Sequence, residues 1–288
     1  MGIRKPLFMG TWYPGTKREC DRMIDGFMED LPASRGSGGH FRGGIVPHAG
    51  WYFSGKTAFS VFHRIYENGE TAGSIPDTFF IFGMHLPPGG SDYIFLDDGV
   101  ETPYGIVDIN REAAERLAGS FNFIVEDANG FSQDNTIELQ FPFIKRLFPE
   151  AKIVTAGISP GENALAVGER AYEIADALGI SACFIGSTDL THYGPNYGFM
   201  PHGIGEKGVR WVREVNDSRI IDLFLRADGK AVIPEALGSS NACCPGGVAA
   251  AIGAVGKAGV RRGELVEYTT SYDIHPDSSF VGYAGIVY

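Results

Sequence analysis

The chain has 288 residues, of which 44% are hydrophobic and 20% are charged, a composition typical of a soluble globular protein. Its formal net charge of −11 argues against nucleic acid and anionic membranes as partners, because both need a basic surface. No apolar run is long enough for a membrane span, and the opening sequence MGIRKPLFMGTWYPG lacks the apolar stretch of a secretory signal. Four cysteines are too few for a disulfide framework, so we expect reduced thiols and a cytoplasmic protein.

Short apolar segments alternate with amphipathic segments along most of the chain. Strands are predicted at 43–47, 78–82, 93–96, 121–126, 151–158, 182–186, 265–272 and 280–288. Helices are predicted from Lys56 to just before Gly69, and at 111–117, 135–148, 162–178, 207–226 and 245–259. Asn110 is a predicted N-cap, and Pro142 is predicted to kink or interrupt its helix.

This alternation favours an α/β fold in which a mainly parallel central sheet is flanked by helices. The length allows one compact domain with a large core, and we expect a single domain over residues 1–288. The stretch PASRGSGG, at 32–39, is short enough to be a surface loop.

Polar side chains follow directly after three of the predicted strands. These residues are His48, His85, and the pair Asp189 and His192. In open α/β sheets, ligands bind beyond the carboxyl ends of the strands, so residues distant in sequence can converge there. The glycines around His48 predict that its imidazole stays accessible. The alternative is that each histidine only ends its strand and bonds the backbone.

Asp189 and His192 are three residues apart, so a helical turn would place both side chains on one side. A carboxylate beside an imidazole fixes its tautomer and raises its basicity, which suits a general base or a metal ligand. The alternative is that Asp189 is the N-cap of a short helix.

Cys243 and Cys244 precede a predicted helix that begins at Pro245. A helix N-terminus lowers a thiol pKa and favours the thiolate that binds metals. Two alternatives are a pair of small buried hydrophobic residues and a strained vicinal disulfide. The other histidines and cysteines are predicted to be exposed or structural: His40, His63, His202, His275, Cys20 and Cys183.

Six segments occur in the order seen in the Memo family, and the opening KPLFMGTWYPGTKRE also resembles its start. They are PHAGWYFSG, GMH, IELQFPF, STDLTHYG, a cysteine before a glycine-rich helix, and YTTSYDIHPDSSFVGYAGIVY. That family is similar in fold to the LigB-like class III extradiol dioxygenases. Its bacterial and archaeal members resemble protein B of the AmmeMemoRadiSam system, which implies a radical SAM protein, encoded nearby, as a partner.

The resemblance implies a pocket formed by His48, His85, Asp189, His192 and Cys243. His48, His85 and Cys243 would be metal ligands for Fe(II) or Cu, with Zn as a further option, and the thiolate favours softer ions. Asp189 and His192 would be the catalytic acid–base groups. Two positions depart from the family pattern. Asn135 stands where a histidine is common, and Cys244 stands where glycine is typical.

The sequence is compatible with three functions. The first is a metal-dependent redox protein that acts on O2 or a small molecule. The second is a non-catalytic binding protein for a peptide or an anionic ligand, since animal members are linked to phosphotyrosine peptides; however, only Lys56 lies near the strand-end motifs. The third is an extradiol-type dioxygenase, in which Asp189 or Glu138 would have to serve as the carboxylate ligand.

Overall fold

The computed structural model describes residues 2–29, 31 and 40–288. The predicted surface loop at 32–39 lies outside the described residues. No helix in the described part of the chain is both long and apolar enough to cross a membrane.

The strands are short and are spread along the whole chain. They are β1 (Ile3–Arg4), β2 (Gly43–Val46), β3 (Thr78–Gly83), β4 (Asp92–Phe95), β5 (Gly99–Thr102), β6 (Gly105–Asp108), β7 (Phe123–Glu126), β8 (Lys152–Gly157), β9 (Ala182–Ser187), β10 (His192–Tyr193), β11 (Glu264–Thr270) and β12 (Phe280–Val287).

The α-helices lie between most of these strands. They are α1 (Lys17–Glu29), α2 (Lys56–Ala72), α3 (Arg111–Ala118), α4 (Asn135–Glu138), α5 (Phe141–Leu147), α6 (Ala164–Leu178), α7 (Glu206–Trp211), α8 (Asp217–Leu225), α9 (Gly229–Ser239), α10 (Pro245–Lys257) and α11 (Ser271–Ile274). Two π-helical turns, Trp51–Gly55 and Val212–Asn216, lead into α2 and α8, and a 3-10 turn occupies Pro195–Tyr197.

Most strands form one central sheet in the order β10-β12-β2-β9-β3-β8-β4-β7, with β11 paired to β12. The four strands in the middle, β2, β9, β3 and β8, are all parallel to one another. β12 is antiparallel to β2 on one side, and β4 is antiparallel to β8 on the other. The predicted α/β fold with helices around a central sheet is confirmed, and its parallel strands form the centre of a mixed sheet.

Helices α2 and α10 cover opposite faces of this sheet. A Cβ built on Gly43 would contact the side chain of Val255 in α10, whereas one built on Gly44 would contact Val61 in α2. Consecutive strand residues point to opposite faces, so these two contacts define the two layers of helices. β2 and β9 are buried along their whole length, as expected for parallel strands covered on both sides.

Two predicted helices differ from the observed ones in instructive ways. The predicted helix 135–148 is divided into α4 and α5, and Pro142 lies in the first turn of α5, where its missing N–H costs no hydrogen bond. α2 continues past Gly69 and ends at Gly73, whose φ of 69° is the left-handed conformation that ends many helices. Asn110 is the N-cap of α3, as predicted, and accepts a hydrogen bond from Ala113 N.

Candidate metal site

The carboxyl ends of β2, β9 and β3 lie at one edge of the sheet, because these three strands are parallel neighbours. His48, Asp189 and His85 follow them directly. Helix α10 starts against the same edge, where a Cβ on Gly247 would lie 2.7 Å from a backbone oxygen of β3. The residue two positions before this helix, Cys243, is therefore brought next to the strand ends.

Three potential ligand atoms meet at this edge. His48 Nε2 lies 3.2 Å from His85 Nε2 and 3.2 Å from Cys243 Sγ, although His48 and Cys243 are 195 positions apart. Together with Cys244, the four residues place one donor atom each within 4.8 Å of one another. The three predicted metal ligands thus lie in one cluster.

The imidazole of His48 is buried, with only 1% of the residue exposed. Although little of it is exposed, His48 lines the cavity described below, so its strand delivers it to a shared pocket as predicted. His48 Nδ1 lies 3.0 Å from Ser187 Oγ. The Ser187 hydroxyl donates to Thr136 O at 2.7 Å, so it accepts the Nδ1 proton of His48.

His85 is anchored in a similar way by a carboxylate. Its Nδ1 lies 3.2 Å from Asp134 Oδ2, and its backbone N–H donates to the same oxygen at 3.0 Å. Asp134 is also the N-cap of α4 and accepts from Thr136 N, which fixes the carboxylate in place. An ionised carboxylate can only accept, so His85 Nδ1 carries the proton.

These two anchors leave the Nε2 atoms of His48 and His85 as acceptors that face each other and the sulfur of Cys243. Acceptor lone pairs repel at this distance unless a proton or a cation lies between them. A histidine that binds a metal ion through Nε2 usually donates a hydrogen bond from Nδ1 to another group of the protein. Two imidazole nitrogens and one thiolate suit Fe(II), Cu or Zn, so the residues present fit a metal ion.

Cys243 is positioned to be a thiolate. Its Sγ accepts a hydrogen bond from Asp189 N at 3.3 Å and lies 3.7 Å from the Sγ of Cys244. Burial raises the pKa of the Cys243 thiol, but its hydrogen bond with Cys244 and the imidazoles of His48 and His192 outweigh burial and hold the pKa well below 9.0. Burial and the neighbouring thiolate raise the pKa of Cys244, which stays a thiol.

Asp189 and His192 border this cluster. Asp189 Oδ2 lies 3.9 Å from His192 Nε2 and 4.0 Å from His48 Nε2, and Oδ1 accepts from His48 N at 2.7 Å. The predicted helical turn between Asp189 and His192 is wrong, since no helix lies between β9 and β10 and His192 begins β10. The two side chains still lie on one side because β10 pairs with β12 beside β2.

His192 Nε2 is buried and has no hydrogen-bond partner among the described residues. Burial lowers the pKa of His192, but Cys243 and Asp189 outweigh it and raise the pKa above 6.5. Burial also acts to lower the pKa of His85, but the hydrogen bonds with Asp134 and Cys243 outweigh burial. The pKa of His85 is therefore raised to about 10. Without a metal ion, the neighbouring thiolate and carboxylates therefore favour the protonated form of these imidazoles.

A cavity of about 570 Å³ opens over the cluster. His48, His85, Asp189 and His192 contribute to its wall, and the exposed His275 also lines it. The volume is typical of a small-molecule site. Sequence reasoning placed His275 outside the site, because nothing in the sequence shows that β12 is antiparallel to β2 and starts at the same edge.

The family and sequence comparisons with known proteins each cover nearly the whole chain. The family model described as Memo-like protein matches residues 4–287. A MEMO1 family protein of Thermococcus onnurineus is 33% identical, covering 99% of both chains, and one of Pyrococcus abyssi is 34% identical, also covering 99% of both. The chain belongs to the Memo family. An uncharacterized protein JW3007 from Escherichia coli K12 is similar at a TM-score of 0.47 and 12% identity, with 79% of this chain and 91% of that one covered.

Asn135 and Cys244 are the two positions at which this Memo family chain departs from the expected pattern. Asn135 lines the cavity, and its amide donates to His48 O at 2.7 Å. At the position where the resemblance led us to expect an imidazole, an amide therefore holds the His48 loop. Cys244 is buried under the cluster, and all four cysteines of the chain are free.

Several residues that sequence reasoning considered lie away from the cluster. The carboxylate of Glu138 accepts from Leu7 N and Phe8 N, both at 2.8 Å, and lines a different cavity. Cys20 and Cys183 are buried in the main hydrophobic core. The anchors Asp134 and Ser187 were missed, although Asp134 precedes a helix and Ser187 ends a strand, positions from which a polar side chain can reach its neighbours.

Proposed function

We propose that this Memo family protein is a metal-dependent redox protein in which His48, His85 and Cys243 hold one Fe(II) or Cu ion. The observation that supports this most directly is that His48 Nε2 lies 3.2 Å from both His85 Nε2 and Cys243 Sγ, with the Nδ1 atoms of both histidines anchored. Zn(II) fits the same donors, but it has no redox chemistry of its own.

Such an ion would supply the electron transfer needed to reduce O2 or to oxidise a small molecule. The chain itself would supply proton transfer. His192 Nε2 is buried without a partner, and the carboxylate of Asp189 lies 3.9 Å away, so this imidazole is placed to take or give a proton at the cavity wall. The cavity would hold the small molecule beside it.

The wall of the cavity is less suited to a peptide or an anionic ligand than to a metal-dependent reaction of a small molecule. Among the described residues, no lysine or arginine lines it, and Lys56 forms an ion pair with Glu267 at 3.4 Å. A phosphate would therefore lack the basic partners that usually bind it.

Ring cleavage of the LigB type would need a carboxylate ligand. Of the two carboxylates considered, Glu138 accepts backbone hydrogen bonds elsewhere. Asp189 accepts from the His48 backbone, and its second oxygen lies 4.0 Å from His48 Nε2. A cytoplasmic location and a radical SAM partner stay predictions.

Metal analysis of protein purified without oxygen tests the proposal. We expect about one Fe or Cu per wild-type chain, and His48→Ala and His85→Ala to weaken metal binding at least about 100-fold, because each removes one of three ligands. His63→Ala is the matched control, since His63 lies on α2 beside Glu67 and does not line the cavity. Equal metal content in all four proteins would refute the proposed ligands.

A further inference from the structure

Three aromatic side chains stand exposed around the cavity over the metal site. Trp12 is 42% exposed, Tyr52 is 63% exposed and Tyr197 is 46% exposed, and all three line this cavity. Within the described ranges, no other aromatic side chain is among the exposed large hydrophobic residues. Exposed aromatic side chains gathered around one concave site commonly mark a place where a ligand binds.

The three rings come from separate parts of the chain. Trp12 lies in the loop after β1, Tyr52 in the π turn after the His48 loop, and Tyr197 in the 3-10 turn after β10. The ring of Tyr197 lies 4.9 Å from the imidazole of His192, which places an aromatic face directly beside the proposed proton carrier. A planar ligand that stacks on these rings would thus reach the acid–base group.

One exposed carboxylate, that of Asp277, lines the cavity beside the exposed His275. No described lysine or arginine lines this cavity. The backbone N–H and the hydroxyl of Ser278 both donate to Asp277 Oδ1, which orients the carboxylate. Hydrogen bonds from the backbone and side chain of Ser278 lower the pKa of Asp277, so the group is ionised at neutral pH.

We propose that the cavity binds a small aromatic amine, with its ring against Trp12, Tyr52 and Tyr197 and its ammonium group at Asp277. Aromatic faces attract both planar rings and cations, and the carboxylate adds a charged partner. This deepens the proposed function by naming the substrate class of the same site, and it rests on that function only in treating the cavity as the substrate site.

Binding of four probes to the wild-type protein tests this ligand class: benzylamine, benzyl alcohol, benzoate and cyclohexylmethylamine. Calorimetry, with the metal-free and the metal-loaded protein measured separately, gives the affinities. We expect benzylamine to bind roughly tenfold more tightly than benzoate, because it gains a cation–π and a carboxylate contact where benzoate is repelled. Cyclohexylmethylamine, which keeps the charge but loses the ring, is expected to bind several-fold more weakly than benzylamine.

Matched variants separate the two contacts. Asp277→Asn is expected to reduce the preference for benzylamine over benzoate to about twofold, whereas Asp25→Asn, at an exposed position on α1, leaves it unchanged. Tyr52→Phe keeps the ring and is expected to keep the affinity for benzylamine. Tyr52→Leu removes the ring and is expected to weaken benzylamine binding several-fold.

The ligand class is overturned if benzoate binds wild-type protein as tightly as benzylamine, or if Asp277→Asn leaves their ratio unchanged. Because metal content is measured independently, a protein that prefers benzylamine but binds no metal would refute the redox proposal alone. A protein that binds metal through His48 and His85 without this preference would refute the amine alone.

Discussion

At the residue scale, two small polar side chains decide which imidazole nitrogen faces the metal site. Ser187 accepts from His48 Nδ1 because its own hydroxyl proton is given to Thr136 O. Asp134 accepts from His85 Nδ1 and from the His85 backbone. Both Nε2 atoms are thereby turned toward Cys243, where a metal ion would bind by displacing a proton.

The pKa values at the site predict how metal affinity depends on pH. In the metal-free protein the pKa of His85 is raised to about 10, so the imidazole holds a proton at pH 7 that a metal ion must displace. Affinity should therefore rise with pH between 6 and 9, by about tenfold per pH unit for each proton released. Titrations against a competing chelator at several pH values, with proton release measured by calorimetry in two buffers, test this. Affinity that is independent of pH would contradict it.

At the element scale, the start of α10 determines where Cys243 lies. The helix begins with Pro245, and its residues through Val255 are buried against the sheet and α6. Gly247 makes the close approach to β3 possible, since a Cβ there would lie within 3.0 Å of three backbone atoms. Backbone atoms of a central strand cannot move aside, so a side chain at 247 would push the helix start away from the strand ends.

Two glycines of α10 give a matched test of that packing. We expect Gly247→Ala to destabilise the fold by about 1–3 kcal/mol through overpacking and to weaken metal binding, because Cys243 shifts with the helix start. Gly256→Ala, where a Cβ meets nothing within 4 Å, should leave metal binding intact and stabilise by about 0.4–1 kcal/mol. Denaturant unfolding and metal titration measure both effects. Equal stability and equal metal affinity in the two variants would show that the close approach does not position the site.

At the scale of the whole molecule, the site depends on which strand ends share an edge. β2, β9 and β3 bring their carboxyl ends there, and β12 brings its amino end because it runs antiparallel to β2. The loop before β12 therefore carries His275 and Asp277 to the same cavity as His48. The residues that line the cavity come from six separate parts of the chain.

The sequence predicted that the parallel strands end at one shared edge, but it did not predict that the antiparallel strand β12 begins there. Apolar strands that end in His48, His85 and Asp189 indicate a shared edge by themselves, because parallel strands must align their ends. The direction of β12 has no comparable local signal, so His275 was assigned to a structural or exposed role. The anchors Asp134 and Ser187 depend on hydrogen bonds across 49 and 139 positions, which no local pattern encodes.

X-ray absorption at the metal edge is the most direct test of the central claim that His48, His85 and Cys243 hold one metal ion. For protein loaded with Zn(II) as a probe, we predict one sulfur at about 2.3 Å and imidazole nitrogens at about 2.0–2.1 Å. The sulfur should disappear in Cys243→Ser and remain in Cys244→Ala. A spectrum with oxygen and nitrogen alone, or loss of the sulfur only in Cys244→Ala, would contradict the account.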